Sequence, residues 1–157
     1  MSNFLVALST WLHVLATIVM VGYFPFASLI YLPVFEREMQ GNALRGLLEQ
    51  ISARFRPFFA SALLIFLVTG THLMLINKNY LGLGDFFRNP WSFLIVTKHV
   101  LVLAFLALAI YSERAFLSQI SDQKPLALKQ FRWSLYIDTS LGLAILLLTS
   151  IAQAGGG

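Results

Sequence analysis

Three histidines are the residues of this sequence most suited to chemistry. His13, His72 and His99 are the only histidines, and each lies in an apolar stretch long enough to cross a bilayer. An ionisable side chain inside a membrane is costly and by default indicates a functional site. Cysteine is absent, so imidazole is the main candidate metal ligand, and disulfides and thiolate sites are excluded. Three imidazoles in one layer of a helical bundle predict a metal or haem site.

The histidines fit two cofactor chemistries. Two imidazoles on opposite walls of a four-helix bundle would hold a low-spin haem b, whereas all three around one ion would suit copper or zinc. Met20 lies one face below His13 and is a candidate soft ligand, while Met74 lies about 200° around its helix from His72 and is a poor one. The alternative is that the histidines only cross-link helices by hydrogen bonds.

All three histidines are expected at a similar depth. His13 lies within a few turns of the start of its span, His72 about one turn before the end of the next, and His99 about two turns into the third. Since successive helices alternate in direction, these positions belong to one side of the membrane, at depths of roughly 5 to 12 Å.

Other ionisable residues in the apolar stretches have several interpretations. Lys98 could extend towards the headgroups, pair with a haem propionate, or repel a cation from the site. Asp138 lies near the opposite end of the fourth span, too far away to join the histidines, and its expected partner is Arg54 or Arg56 in a structural ion pair. A proton relay or an inner ion site is the alternative for Asp138.

The composition is that of a membrane protein. Of 157 residues, 58% are hydrophobic and 11% are charged, against roughly a quarter charged in soluble domains. The net charge of +4 comes mostly from loops beside apolar spans, where anionic lipid rather than nucleic acid is the usual partner. Gly-rich phosphate loops, GxSxG and HExxH motifs are absent. We therefore expect one membrane domain, residues 1–157, in contact with lipid and without nucleic acid.

Four spans are predicted, since about 20 apolar residues cross a bilayer. They cover residues 5–31, 57–76, 91–112 and 133–154. An amphipathic helix over residues 43–55, with Leu44, Leu48 and Phe55 on one face, is expected to lie at the interface before the chain turns inward at Pro57. The predicted fold class is all-α: a four-transmembrane-helix bundle with an interfacial helix between helices 1 and 2.

The distribution of lysine and arginine predicts the orientation. The first and third loops carry eight of them, and the second loop carries two. The positive-inside rule then places loops 1 and 3 in the cytoplasm and both termini outside. We expect the plasma membrane of a bacterium. The residues counted are Arg37, Arg45, Arg54, Arg56, Arg114, Lys124, Lys129 and Arg132 against Lys78 and Arg88.

Short motifs in all spans but the last resemble a known family. The copper-resistance CopD-like membrane domain is similar in Trp11-Leu12-His13 followed by Gly22, in Arg54-Phe55-Arg56 leading to Thr69-Gly70, and in Lys98 after Trp91. More distantly, the first helix, its Tyr31-Leu32-Pro33 exit and Lys98 are similar to the HemJ-type protoporphyrinogen oxidases, which carry haem b. The resemblance implies a four-helix membrane bundle that handles copper or haem at His13 and its partners. Full-length copper-resistance D proteins are longer than this chain. The Glu36-Arg37-Glu38 run departs from the oxidases, and for this reason their oxidase activity is not carried over.

These observations lead to three functional hypotheses. The first is a haem b protein that transfers electrons through bis-histidine ligation by two of His13, His72 and His99, with Lys98 beside the cofactor and with a redox or membrane-complex partner. The second is a copper-binding protein for copper transport or delivery that uses all three histidines. The third is a structural subunit of a larger membrane complex. A homo-oligomer is compatible with each.

Overall fold

The chain folds into a bundle of long helices. The computed structural model describes residues 3–78, 80, 90–121 and 124–154, and most of the connection between the second and third spans lies outside these ranges. Within the described ranges, four helical segments are long and apolar enough to cross a membrane, which confirms the predicted all-α, four-helix architecture. The elements are α1 (Asn3–Phe26), a π-helix (Ala27–Tyr31), α2 (Leu32–Glu38), α3 (Gly41–Leu75), α4 (Pro90–Ala115), a 3-10 helix (Leu117–Gln119) and α5 (Pro125–Ala154).

The first span changes its helical pitch after Pro25. Proline has no backbone N–H and its ring crowds the preceding turn, so it removes one helical hydrogen bond and favours a local change of pitch. Here α1 gives way to the π-helix Ala27–Tyr31, which then continues as α2 to Glu38. The wider π turn keeps the segment helical without a break. The first span is therefore longer than the predicted residues 5–31.

The predicted interfacial helix over residues 43–55 is not a separate element. It forms the first part of α3, a continuous 35-residue helix that contains Pro57. Its apolar face packs onto the bundle rather than onto lipid: Leu44 and Leu48 are buried, and the Phe55 ring stacks on the Tyr23 ring of α1 at a centroid distance of 4.0 Å. Because the bundle rather than lipid covers this face, α3 continues through Pro57 and does not end there.

The fourth span also begins earlier than predicted. Residues up to Arg132 were expected in a loop, but α5 starts at Pro125, a favourable residue for a first helical turn. Phe131 and Leu117 are buried in the core beneath this region. Asp138 consequently lies 13 residues into its helix, about 20 Å along the axis, rather than near its end.

The helices pack as two hairpins joined at one seam. α1 packs mainly against α3, α4 packs mainly against α5, and α1 also contacts α5. At this seam Gly142 lies against Val21: a Cβ atom added at Gly142 would be 2.6 Å from Val21 Cγ1. The glycine allows the two backbones to approach closely, as small residues do between membrane helices.

A gap remains on the opposite side, between α3 and α4. Among the described residues, α3 packs far less closely against α4 than against α1, and two cavities lie between them. The histidine cavity, about 320 Å³, is lined by residues that include His13, Phe66, Gly70, Met74, Trp91, Lys98, His99 and Thr149. The Glu113 cavity, about 710 Å³, lies towards the other end and is lined by residues that include Tyr23, Ala27, Tyr31, Glu49, Arg56, Phe59, Glu113, Arg114, Phe131 and Leu135.

An ion pair bridges the gap beside the larger cavity. Arg56 Nε of α3 donates to Glu113 Oε1 of α4 at 2.8 Å, and the Ser52 hydroxyl donates to the same oxygen. Elsewhere the outer surface is apolar: Trp11, Ile18, Leu103 and Leu147 are exposed. Such a surface is stable against lipid acyl chains, so these helices imply a bilayer environment.

Candidate metal site

His13 is held in a defined position by α3. Its ring stacks on Phe66 with a centroid distance of 4.4 Å and an interplanar angle of 21°, and its Nδ1 lies 3.0 Å from Thr69 Oγ1. The single Thr69 hydroxyl proton is donated to the Ile65 carbonyl at 2.6 Å, so Thr69 accepts from His13. This assigns the proton of a neutral His13 ring to Nδ1 and leaves the Nε2 lone pair available.

Gly70 makes room for the His13 ring. A Cβ atom at position 70 would lie 3.0 Å from His13 Cε1, closer than carbon atoms normally approach. The imidazole therefore packs directly against the backbone of α3. Phe66, Thr69 and Gly70 fall within about one helical turn, and each contacts this ring.

His99 has the same tautomer by a different route. Its Nδ1 lies 2.7 Å from the backbone carbonyl of Ile95, one turn earlier in α4. A carbonyl only accepts hydrogen bonds, so Nδ1 carries the proton and Nε2 is again the free nitrogen. His13 and His99 both line the histidine cavity, each with one ring nitrogen available to a ligand.

His72 does not line this cavity. It lies two residues after Gly70, about 200° around α3, and therefore on a different face from the backbone that contacts His13. Its Nδ1 is buried and has no hydrogen-bond partner among the described residues. Within the described ranges, no group of three or more His, Cys, Asp or Glu side chains could hold a metal ion. The three-histidine arrangement is thus not formed.

Met74 lines the histidine cavity in place of His72. Four residues separate it from Gly70, so both lie on one face of α3. Met74 and His72 lie about 200° apart around α3, which is the reason that one lines the cavity and the other does not. Because Gly70 contacts His13 and Met74 lies four residues after it, the spacing from Gly70 is the sequence feature that indicates Met74. Met20, the other candidate sulfur ligand, is buried in the core cluster and does not line the cavity.

Lys98 points into the bundle. Its Nζ lies 6.0 Å from the centroid of the Phe66 ring, the outer limit of a cation–π contact, and the residue lines the histidine cavity. Of the interpretations considered for Lys98, this position favours a role at the cavity over extension to the headgroups.

Asp138 does not pair with Arg54 or Arg56. Arg56 is bound to Glu113, and the Arg54 side chain is exposed. Asp138 is fully buried, and in the part of the chain that the structure describes neither of its carboxylate oxygens has a hydrogen-bond partner. The expected ion pair is absent because, among the described residues, α3 with its two arginines does not pack closely against α5, which contacts α1 and α4 instead.

Comparison with known families places most of the chain in one of them. The family model described as copper resistance protein D matches residues 49–152. This range contains Met74, Lys98, His99 and Asp138, and His13 precedes it. No curated protein and no solved structure matches the chain. The more distant similarity to the HemJ-type oxidases therefore has no support in these comparisons.

Proposed function

The chain belongs to the copper resistance protein D family, and on this premise we propose that it is an integral membrane protein for copper transport or delivery that binds the ion at the histidine cavity. The family relates the protein to copper and favours the copper hypothesis over haem b. In this proposal copper is the cargo, and the bundle supplies its binding site.

The ligands in this proposal are Nε2 of His13, Nε2 of His99 and the thioether sulfur of Met74, and all three residues line one cavity. Imidazole binds copper well, and a thioether favours the Cu(I) state. The observation that carries the proposal is that both histidines use Nδ1 in a hydrogen bond. A metal-binding histidine usually has this arrangement, because the second bond fixes the tautomer and the ring orientation.

The proposal reduces the predicted ligand set from three histidines to two. His72 contributes nothing to the cavity, so copper binding should not depend on it. Haem b and a purely structural role for the histidines become outcomes that the same experiment distinguishes.

The test is an anaerobic Cu(I) titration of the detergent-purified full chain against a coloured competing chelator. We expect one Cu(I) per chain, a loss of affinity of at least about tenfold in His13→Ala and in His99→Ala, and unchanged affinity in His72→Ala, the matched control. Absorption spectra taken before and after reduction are the second readout.

Three results would contradict the proposal. A Soret band that disappears in two histidine variants would establish haem. Equal loss of Cu(I) in all three variants would restore the three-histidine site. A colourless wild-type protein that binds no copper would favour the structural role.

A further inference from the structure

Asp138 is a buried acid that the copper site does not use. It lies in α5, its exposed fraction is 0%, and neither carboxylate oxygen has a hydrogen-bond partner among the described residues. A polar group buried in this way costs free energy unless it is compensated. Ionisable residues inside membrane spans are rare for this reason and usually serve ion or proton pathways.

The α5 face that carries Asp138 borders both cavities. Leu135, three residues before Asp138 and about 4 to 5 Å along the axis, lines the Glu113 cavity. Thr149, eleven residues after it and about 16 Å further, lines the histidine cavity. Asp138 thus lies between the cavities, behind the wall of the larger one.

Irregular backbone packs against α5 at this level. The π-helix Ala27–Tyr31 contacts α5, and its fully buried Ser28 hydroxyl lies 3.2 Å from Thr139 Oγ1. Thr139 in turn donates to the Leu135 carbonyl. Ala27 and Tyr31 of the same segment line the Glu113 cavity. π-helical turns occur frequently at functional sites, and here one forms the wall between the cavity and the residues around Asp138.

The surroundings of Asp138 narrow the choice of cation. A metal ion needs several ligands, and no cluster of metal-binding side chains includes Asp138 within the described residues. Arg56 is bound to Glu113, and Glu49 is bound to Arg45. Neither arginine is therefore available to pair with Asp138. A proton needs no ligand other than the carboxylate itself, and it is the cation that fits this site. The titratable and charged side chains of the cavity are Tyr23 on α1, Tyr31 on the π-helix, Glu49 and Arg56 on α3, and Glu113 and Arg114 on α4.

We propose that Asp138 is an intramembrane proton-exchange site that communicates with the Glu113 cavity through the wall formed by Leu135 and the π-helix. One proton binds the carboxylate from water that enters the cavity, and the same proton returns to that water when the carboxyl group ionises. This inference does not depend on copper binding, since it concerns a different cavity.

The test is infrared difference spectroscopy of the full chain reconstituted in lipid vesicles without copper. We expect a carbonyl stretch of a protonated carboxyl group that disappears in Asp138→Asn and persists in Glu49→Gln, the matched control that removes a carboxylate from the cavity rim. On transfer to deuterated water, the band should shift within minutes.

Two results would overturn the proposal. One is the absence of an Asp138-dependent band across the accessible pH range. The other is a band that resists deuteration for as long as the amides of the membrane helices do. If Asp138→Asn does not fold, labelling of the wild-type chain with a hydrophobic carbodiimide decides the question. Mass spectrometry should find the adduct on Asp138, and labelling of other carboxyl groups alone would contradict the inference.

Discussion

At the scale of single residues, Thr69 determines how His13 presents its ring. The threonine hydroxyl donates its one proton to the Ile65 carbonyl, so towards His13 its oxygen can only accept. The proton of the His13 ring is therefore held on Nδ1. Replacing Thr69 with valine keeps the shape but removes the acceptor. We expect about a 10- to 100-fold loss of Cu(I) affinity, the usual effect of losing an outer hydrogen-bond partner, measured by the competition titration. Thr97→Val is the control, because the Thr97 hydroxyl donates to the Phe93 carbonyl of its own helix.

A second residue-scale prediction concerns Gly70. An alanine there would press on His13 Cε1 and displace the ring from Phe66. We expect Gly70→Ala to weaken Cu(I) binding, while Gly46→Ala, whose added Cβ meets nothing within 4 Å, leaves affinity unchanged. Equal affinities for both variants would show that the position of His13 does not matter for binding.

Residue types alone could predict which side chains are candidates, but not which of them share a cavity. His13 and His99 were found as candidates because membrane-buried histidines are rare. That Met74 rather than His72 lines the cavity depends on the rotation of α3 about its axis, at the level where Gly70 and Thr69 contact His13 of α1. A single sequence carries no direct signal for such a contact.

At the scale of helices, apolar length predicted the four spans, while their ends were misplaced. The charged residues predict an interfacial helix over residues 43–55 and a loop over residues 113–132, yet most of them belong to the long helices α3, α4 and α5. The reason is that Arg56, Glu113, Arg132 and Glu36 pair with one another across helices. Such pairs allow a charged turn to continue a helix, and they become visible only when the packing is known.

The close contact between α1 and α5 yields a stability prediction. Gly142→Ala places a methyl group 2.6 Å from Val21 Cγ1, and a β-branched side chain cannot easily move aside. Overpacking of this kind costs about 1 to 3 kcal/mol, so we expect a lower midpoint of thermal unfolding in detergent. Gly22→Ala, with open space around the added carbon, should leave the midpoint unchanged or raise it. An unchanged unfolding midpoint in Gly142→Ala would show that α1 and α5 can move apart at Val21 without loss of stability.

At the scale of the whole molecule, the orientation in the membrane remains a prediction from charge. The native chain has no cysteine, so single cysteines can report each side without background labelling. Met39→Cys lies in the exposed break between α2 and α3, and Lys78→Cys lies beyond the end of α3. In intact cells, a membrane-impermeant maleimide should label only Lys78→Cys. Labelling of Met39→Cys alone would reverse the orientation and place the histidine cavity towards the cytoplasm.

The pairing of α1 with α3 and of α4 with α5 has a consequence for biogenesis. Each pair consists of consecutive spans, so each hairpin contains its own principal contacts and can form as soon as its second span has entered the bilayer. Membrane helices insert first and associate afterwards, and the last step is then the docking of two finished hairpins along Val21 and Gly142. A substitution that blocks this docking leaves a chain whose four spans are inserted in the correct orientation but whose hairpins are not assembled. Such a chain has passed the insertion machinery, so quality-control proteases must recognise it.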